Sequence, residues 1–279
     1  MKIYIQTNNQ QRLAAKIAKA SFVKNGFDIN NIFFLDLEKN DFLKSYLHKD
    51  YLRNGLITKY KNDLQSFTLL RFFAPEMNAF KDKILVIDPD VFACKNPNSI
   101  FSTLNSDDEI CCTFYNNLPR SEVMVIDASK VRWDFKQIIK DLFDKKIDYK
   151  NLMNLSFNKN IKIKQIDNIY NSHDKIDKNT ILLHTTNRIS QPWKEGLKID
   201  FEKNFSLKNK MINFLKKKIG EPYNPEVLTE IYIRHPNETV INTIKTFYNF
   251  ALQNNIINFT EINEAIKKGY FSKKFITES

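Results

Sequence analysis

The sequence predicts an α/β fold, a mixed and mainly parallel sheet flanked by helices, followed by a helical C-terminal appendage. Three observations predict it. The chain opens strand, helix, strand over residues 2–37, the βαβ unit that places two strands side by side and parallel. The run Ile84-Leu85-Val86-Ile87 is apolar at every position, as in a strand covered on both faces. Beyond Leu207 strand signals fade while helical periodicity continues, so residues 1–205 are expected to form the sheet domain and 206–279 the appendage.

The elements follow in order. Lys2 to Thr7 reads as a buried strand, and Gln11 to Asn25 as a helix with Leu13, Ile17, Ala18 and Phe22 inward and Gly26 as its stop signal. Asn31 to Leu37 gives the second strand. A helix is expected from Asp63 to Phe73, ended by Pro75, before the strand Ile84 to Ile87. Glu109 to Tyr115 and Val123 to Asp127 form a hairpin across Asn116-Asn117-Leu118-Pro119, and Asp134 to Phe143 is helical. The polar stretch Lys145 to Asp177 carries no clear period. Thr180 to His184 is a further strand, and Asn237 to Asn254 and Thr260 to Gly269 are helices.

Composition narrows the function. Five glycines in 279 residues never come close together, so no G-x-G-x-x-G dinucleotide loop and no P-loop can be written. A bound phosphate must therefore be held by a metal, by basic side chains or by a helix N-terminus. The net charge of +11 favours anionic partners, but the lysines are dispersed and no basic tract interleaved with aromatics occurs, which argues against nucleic acid. Cys94, Cys111 and Cys112 form neither a disulfide framework nor a C-x-x-C site, and Cys111 and Cys112 fall in a strand as core residues. With no signal-like apolar stretch at Met1 to Gln6 and no apolar run of spanning length, the expected setting is cytoplasmic, or peripheral at the inner face of a membrane. The peripheral option rests on Leu207 to Ile219. There Leu207, Met211, Leu215 and Ile219 share a stripe amid lysines, the pattern of a helix lying on anionic lipid or of one packed on the core with a basic outer face.

Asp88-Pro89-Asp90 ends the buried strand. Ligands gather beyond the carboxyl ends of strands in open α/β sheets, and paired carboxylates there suit a hard cation, Mn²⁺ or Mg²⁺, able to bridge a diphosphate. Asp-Pro-Asp is also ordinary turn chemistry. A strand ending in D-x-D further fits a haloacid dehalogenase-like phosphatase, with Asp88 as nucleophile and Asp90 as acid/base, although in those enzymes the motif usually starts the domain.

Residues Ser66-Phe67-Thr68-Leu69-Leu70-Arg71-Phe72-Phe73-Ala74-Pro75-Glu76, then Lys83 to Val91 with the D-x-D, resemble the family 8 glycosyltransferases of the GT-A fold. Val123 to Asp127, Leu182-Leu183-His184-Thr185-Thr186 and Gln191-Pro192-Trp193-Lys194 extend the likeness over about residues 1–200. The resemblance implies a metal-dependent hexosyltransferase that takes a sugar from a nucleotide diphosphate sugar, a UDP-sugar by preference, with retention, to a hydroxyl of a glycan, lipid or protein acceptor. It implies Asp88, Asp90 and His184 as metal ligands, with Asp88 also near the donor. Gln6, Thr7 and Asn8 would receive the nucleoside and Arg71 the donor sugar or diphosphate.

The chain also departs from the family. Arg120-Ser121-Glu122 stands where the family has an Asn-Ser-Gly turn, the Asp-Gln-Asp element is missing around Asp148 to Asn151, and Gln191 replaces a lysine. Arg188 or Lys194 is expected to return the lost charge to the diphosphate, and Glu122 is the nearest acidic candidate for catalysis. A degenerate relative that only binds nucleotide, or a basic module for nucleic acid, is the non-catalytic alternative.

Overall fold

The structure is a computed structural model and describes residues 1–61, 63–201 and 205–277; residues 202–204, just before the expected boundary, lie outside the described residues. In chain order its strands are β1 (Lys2–Thr7), β2 (Ile32–Asp36), β3 (Asp50–Arg53), β4 (Leu56–Lys59), β5 (Lys83–Ile87), β6 (Val91–Ala93), β7 (Ile110–Tyr115), β8 (Leu118–Asp127), β9 (Ile163–Gln165), β10 (Ser172–His173) and β11 (Leu182–His184). Six of them form the central sheet in the order β2-β1-β5-β8-β7-β9. β1 pairs in parallel with β2 and β5, β8 is antiparallel to β5 and β7, and β7 is parallel to β9. Five strands thus share one direction and β8 alone is reversed.

Alternation along the strands divides the core between the two faces of this sheet. Ile3, Ile5, Leu85, Ile87, Val123 and Val125 face the helix Arg12–Lys24, while Tyr4, Ile84, Val86, Met124 and Ile126 face the segment Ser66–Phe73 and the helix Phe135–Phe143. Cys111 and Cys112 are buried on opposite faces and belong to the core, as read from sequence. The C-terminal helices Glu238–Gln253 and Phe259–Lys267 lay Val240, Ile244, Phe247 and Ile262 into the first of these layers.

Several expectations change. Ser66–Phe73 is a 3₁₀ helix, with side chains bonding three residues back: Ser66 Oγ to Asp63 O, Thr68 Oγ1 to Gln65 O and Arg71 Nε to Thr68 O. The β7–β8 hairpin turns on two residues, Asn116 and Asn117 at φ +50° and +61°, so Leu118 and Pro119 belong to β8 and not to the turn. Arg120-Ser121-Glu122 consequently lies inside a strand. A second hairpin, β3–β4, closes on Asn54-Gly55 at φ +54° and +73°. In the polar stretch 145–177 the chain forms the short helix Tyr149–Met153 and the short strands β9 and β10.

Candidate active site

The carboxyl end of β5 delivers Asp88. The next turn delivers Asp90, and β6 carries the chain back antiparallel to β11, setting His184 opposite Val91. One ligand atom from each of Asp88, Asp90 and His184 lies within 4.8 Å of the other two. His184 Nε2 is 3.4 Å from Asp90 Oδ1. On the far side of the ring, Asn171 Nδ2 donates to Thr113 Oγ1 at 3.0 Å, which leaves Asn171 Oδ1 to accept from His184 Nδ1–H at 2.9 Å. That bond fixes the tautomer and turns the Nε2 lone pair toward the carboxylates, as in metal-ligating histidines.

Asp88 is held from below. Its Oδ1 accepts from Gln6 Nε2 at 2.8 Å and Arg71 NH2 at 2.9 Å, and Arg71, 2% exposed, also reaches Ser121 Oγ. Burial pushes the Asp88 carboxyl up to about 6, against the pull of Arg71. Burial works against a charged His184, but Asp90, Asp88 and Glu122 outweigh it and raise its pKa. The negative charge that raises the His184 pKa marks a place that takes up a cation. The oxygen and imidazole donors, their spacing and the fixed tautomer therefore fit a hard divalent ion.

Glu122 stands beside this group, its backbone oxygen accepting from Asp88 N at 3.1 Å. Burial would raise the Glu122 carboxyl, yet Arg120, with Nε at 2.8 Å from Oε1, holds it below the usual range. Its buried Oε2 makes no hydrogen bond. Gln191 Nε2 donates to Asp90 Oδ2 at 3.3 Å, so the residue replacing the family's lysine touches the acidic group instead.

These residues wall a cavity of about 360 Å³ that includes Asp88, Asp90, Glu122, His184, Arg71 and Arg188. A neighbouring cavity of about 460 Å³ shares Arg53, Tyr149 and Arg188 with it. Arg188 rests on the Phe201 ring, 4.0 Å from its centroid, and reaches both spaces. Lys194 does not: fully buried, it pairs with Asp200 at 2.6 Å, while Tyr232 OH occupies the other Asp200 oxygen. Gln6, Thr7 and Asn8 are buried and absent from both cavity walls; Asn8 Nδ2 is spent on Asp63 O and Ser66 Oγ. Sequence reasoning missed Asn171, Tyr149, Lys150 and Arg53. Lys150 and Tyr149 arrive on a helix capped by Asp148, whose carboxylate also takes the backbone N–H groups of Asn54 and Gly55, a link across ninety residues that no local pattern announces.

No family model matches the chain, and no curated protein matches it. Solved structures do. Galactosyltransferase LgtC, crystallised with donor and acceptor sugar analogs, is similar at 14% identity and a TM-score of 0.48, over 69% of this chain and 89% of its own. The glycosyltransferase GlyE of Streptococcus pneumoniae TIGR4 is similar at 14% identity and a TM-score of 0.50, over 97% of this chain, which spans 64% of GlyE. With one reversed strand in an otherwise parallel sheet and a likeness to GlyE running through nearly the whole chain, the fold is that of the GT-A glycosyltransferases.

Proposed function

We propose that the chain is a metal-dependent glycosyltransferase that moves a sugar from a nucleotide diphosphate sugar, UDP-linked by preference and with retention, to a hydroxyl acceptor. The observation that carries this reading is the Asp88, Asp90 and His184 group at the wall of a cavity beyond the carboxyl end of β5. Asp88, Asp90 and His184 would hold Mn²⁺ or Mg²⁺, which when bound stabilises the charge of the departing diphosphate. Arg188 and Lys150, on the same wall, add positive charge for the phosphates. Lys194, committed to Asp200, leaves that task to Arg188. Glu122, kept ionised by Arg120, lines the cavity wall as the carboxylate for a hydroxyl of the donor sugar or acceptor. The sheet domain 1–205 supplies every one of these groups. A phosphatase using Asp88 as nucleophile finds no support in a GT-A sheet, nor in a carboxylate whose Oδ1 already serves Arg71 and Gln6.

A thermal-shift screen of nucleotide diphosphates and their sugars, with and without Mn²⁺, tests the proposal. A nucleotide at a hundredfold excess over its Kd stabilises the fold by about 2.7 kcal/mol. UDP should do so only with the metal. GDP outperforming UDP would overturn the nucleotide assignment, and no nucleotide response at all would overturn the transferase.

A further inference from the structure

The helix Leu207–Lys218 buries none of its residues. Leu207 is 84% exposed, Met211 61%, Phe214 52%, Leu215 50% and, just past the end, Ile219 69%. At 100° per residue these and Ile212 fall within an arc of about 160°. Asn213 lies diametrically opposite the middle of that arc, and its Oδ1 accepts from Asn224 N at 2.7 Å. The helix is therefore tied to the protein by its polar back, and its apolar face points away. The expectation of a core-packed helix is overturned, because the stripe that would have packed is the part left outside.

We infer that this helix is a docking surface for an anionic bilayer. Lys210 and Lys217 border one edge of the apolar arc and Lys216 the other, while Lys208 and Lys218 enter it near its two ends; the helix contains no acid. Lysine stems can lie along an apolar face while their ammonium groups reach the phosphates of lipid headgroups. The charge disfavours the other simple occupant, a second copy, since a two-fold pairing of this face would bring lysines against lysines. The position has a consequence for the cavities. Phe205 before the helix, and Asn224 and Glu226 after it, line the 460 Å³ cavity, as does Leu56 of the exposed β4, 72% exposed beside Ile57. Docking through the helix holds the rim of that cavity about one helix thickness, roughly 10 Å, from the lipid surface. Nothing in this inference depends on the transferase chemistry.

Flotation of the whole chain with phosphatidylcholine vesicles, with and without about 30% phosphatidylglycerol, tests it. Wild-type protein should bind the anionic vesicles about tenfold or more tightly than the neutral ones. Two variants separate the contributions: Phe214→Ser with Leu215→Ser, and Lys216→Glu with Lys217→Glu and Lys218→Glu. As these side chains are exposed, the melting temperature should hold, and each variant should lose about tenfold in binding. Equal binding to both vesicle types, or a serine variant that binds as well as wild type, would overturn the inference. So would a concentration-dependent dimer, abolished by the serine substitutions, in a chain that does not float.

Discussion

Asp88 is the residue on which stability and chemistry meet. Removing its carboxylate strands the buried Arg71 charge, a loss of about 3–5 kcal/mol for a broken buried pair, so Asp88→Ala confounds folding with binding. Asp90, more exposed and free of any arginine, is the cleaner probe. The pH dependence has a definite sign. A folded pKa of about 6, above the unfolded carboxylate value, means that the stability contributed by this carboxyl is complete at acid pH and is lost as pH rises through 6. His184, also raised, acts in the same direction. A divalent ion must displace both protons, so its affinity should fall by up to about a hundredfold per pH unit where both groups are protonated. The rise in melting temperature caused by Mn²⁺ should be small at pH 5 and full at pH 7; equal rises at both would contradict the assignment of Asp88 as a ligand.

At the scale of elements, turn geometry decides where β8 begins and hence where Glu122 points. Asn116 and Asn117 both occupy left-handed backbone, tolerated by Asn and preferred by Gly in the second position. Asn117→Gly should keep stability within about 0.5 kcal/mol, while Asn117→Val, with a branched Cβ in that conformation, should lose about 1–2 kcal/mol in urea unfolding. Long periodic elements were legible in the sequence: β1, the helix Arg12–Lys24, β5 and the helix Glu238–Gln253 lie where hydrophobic spacing puts them. The Asn54-Gly55 pair is as strong a turn signal, but its strands β3 and β4 are four residues each, too short to show a period. The elements of residues 145–177 are two to five residues long, and β9 and β10 exist because β7 and β11 pair with them, so local spacing holds no record of those strands. Hydrophobic spacing predicts a helix from Asp63 to Phe73 but not the 3₁₀ pitch of Ser66–Phe73, because side-chain competition for its carbonyls leaves no mark in a hydrophobic pattern.

Across the whole molecule, the carboxyl end of β5, with β8 and β11 beside it, gathers residues 88, 90, 122 and 184 that the sequence spreads over nearly a hundred positions. The acids and the histidine were readable because a strand end is where such groups act. The fate of Lys194 and of Gln6, Thr7 and Asn8 was not, since burial and pairing with Asp200, Asp88 or Ser66 are settled by the packed core. Net charge of +11 fits both an anionic donor and an anionic surface, and the exposed helix separates the two by giving the surface its own apolar face. Among the described residues no helix is long and apolar enough to cross a membrane. The most direct test of the metal-held diphosphate is calorimetric titration of UDP into the chain with Mn²⁺ and after chelation, alongside Asp90→Asn. Binding that requires Mn²⁺ and vanishes in Asp90→Asn is the predicted result; UDP binding of equal strength with the metal, without it and in the variant would contradict it.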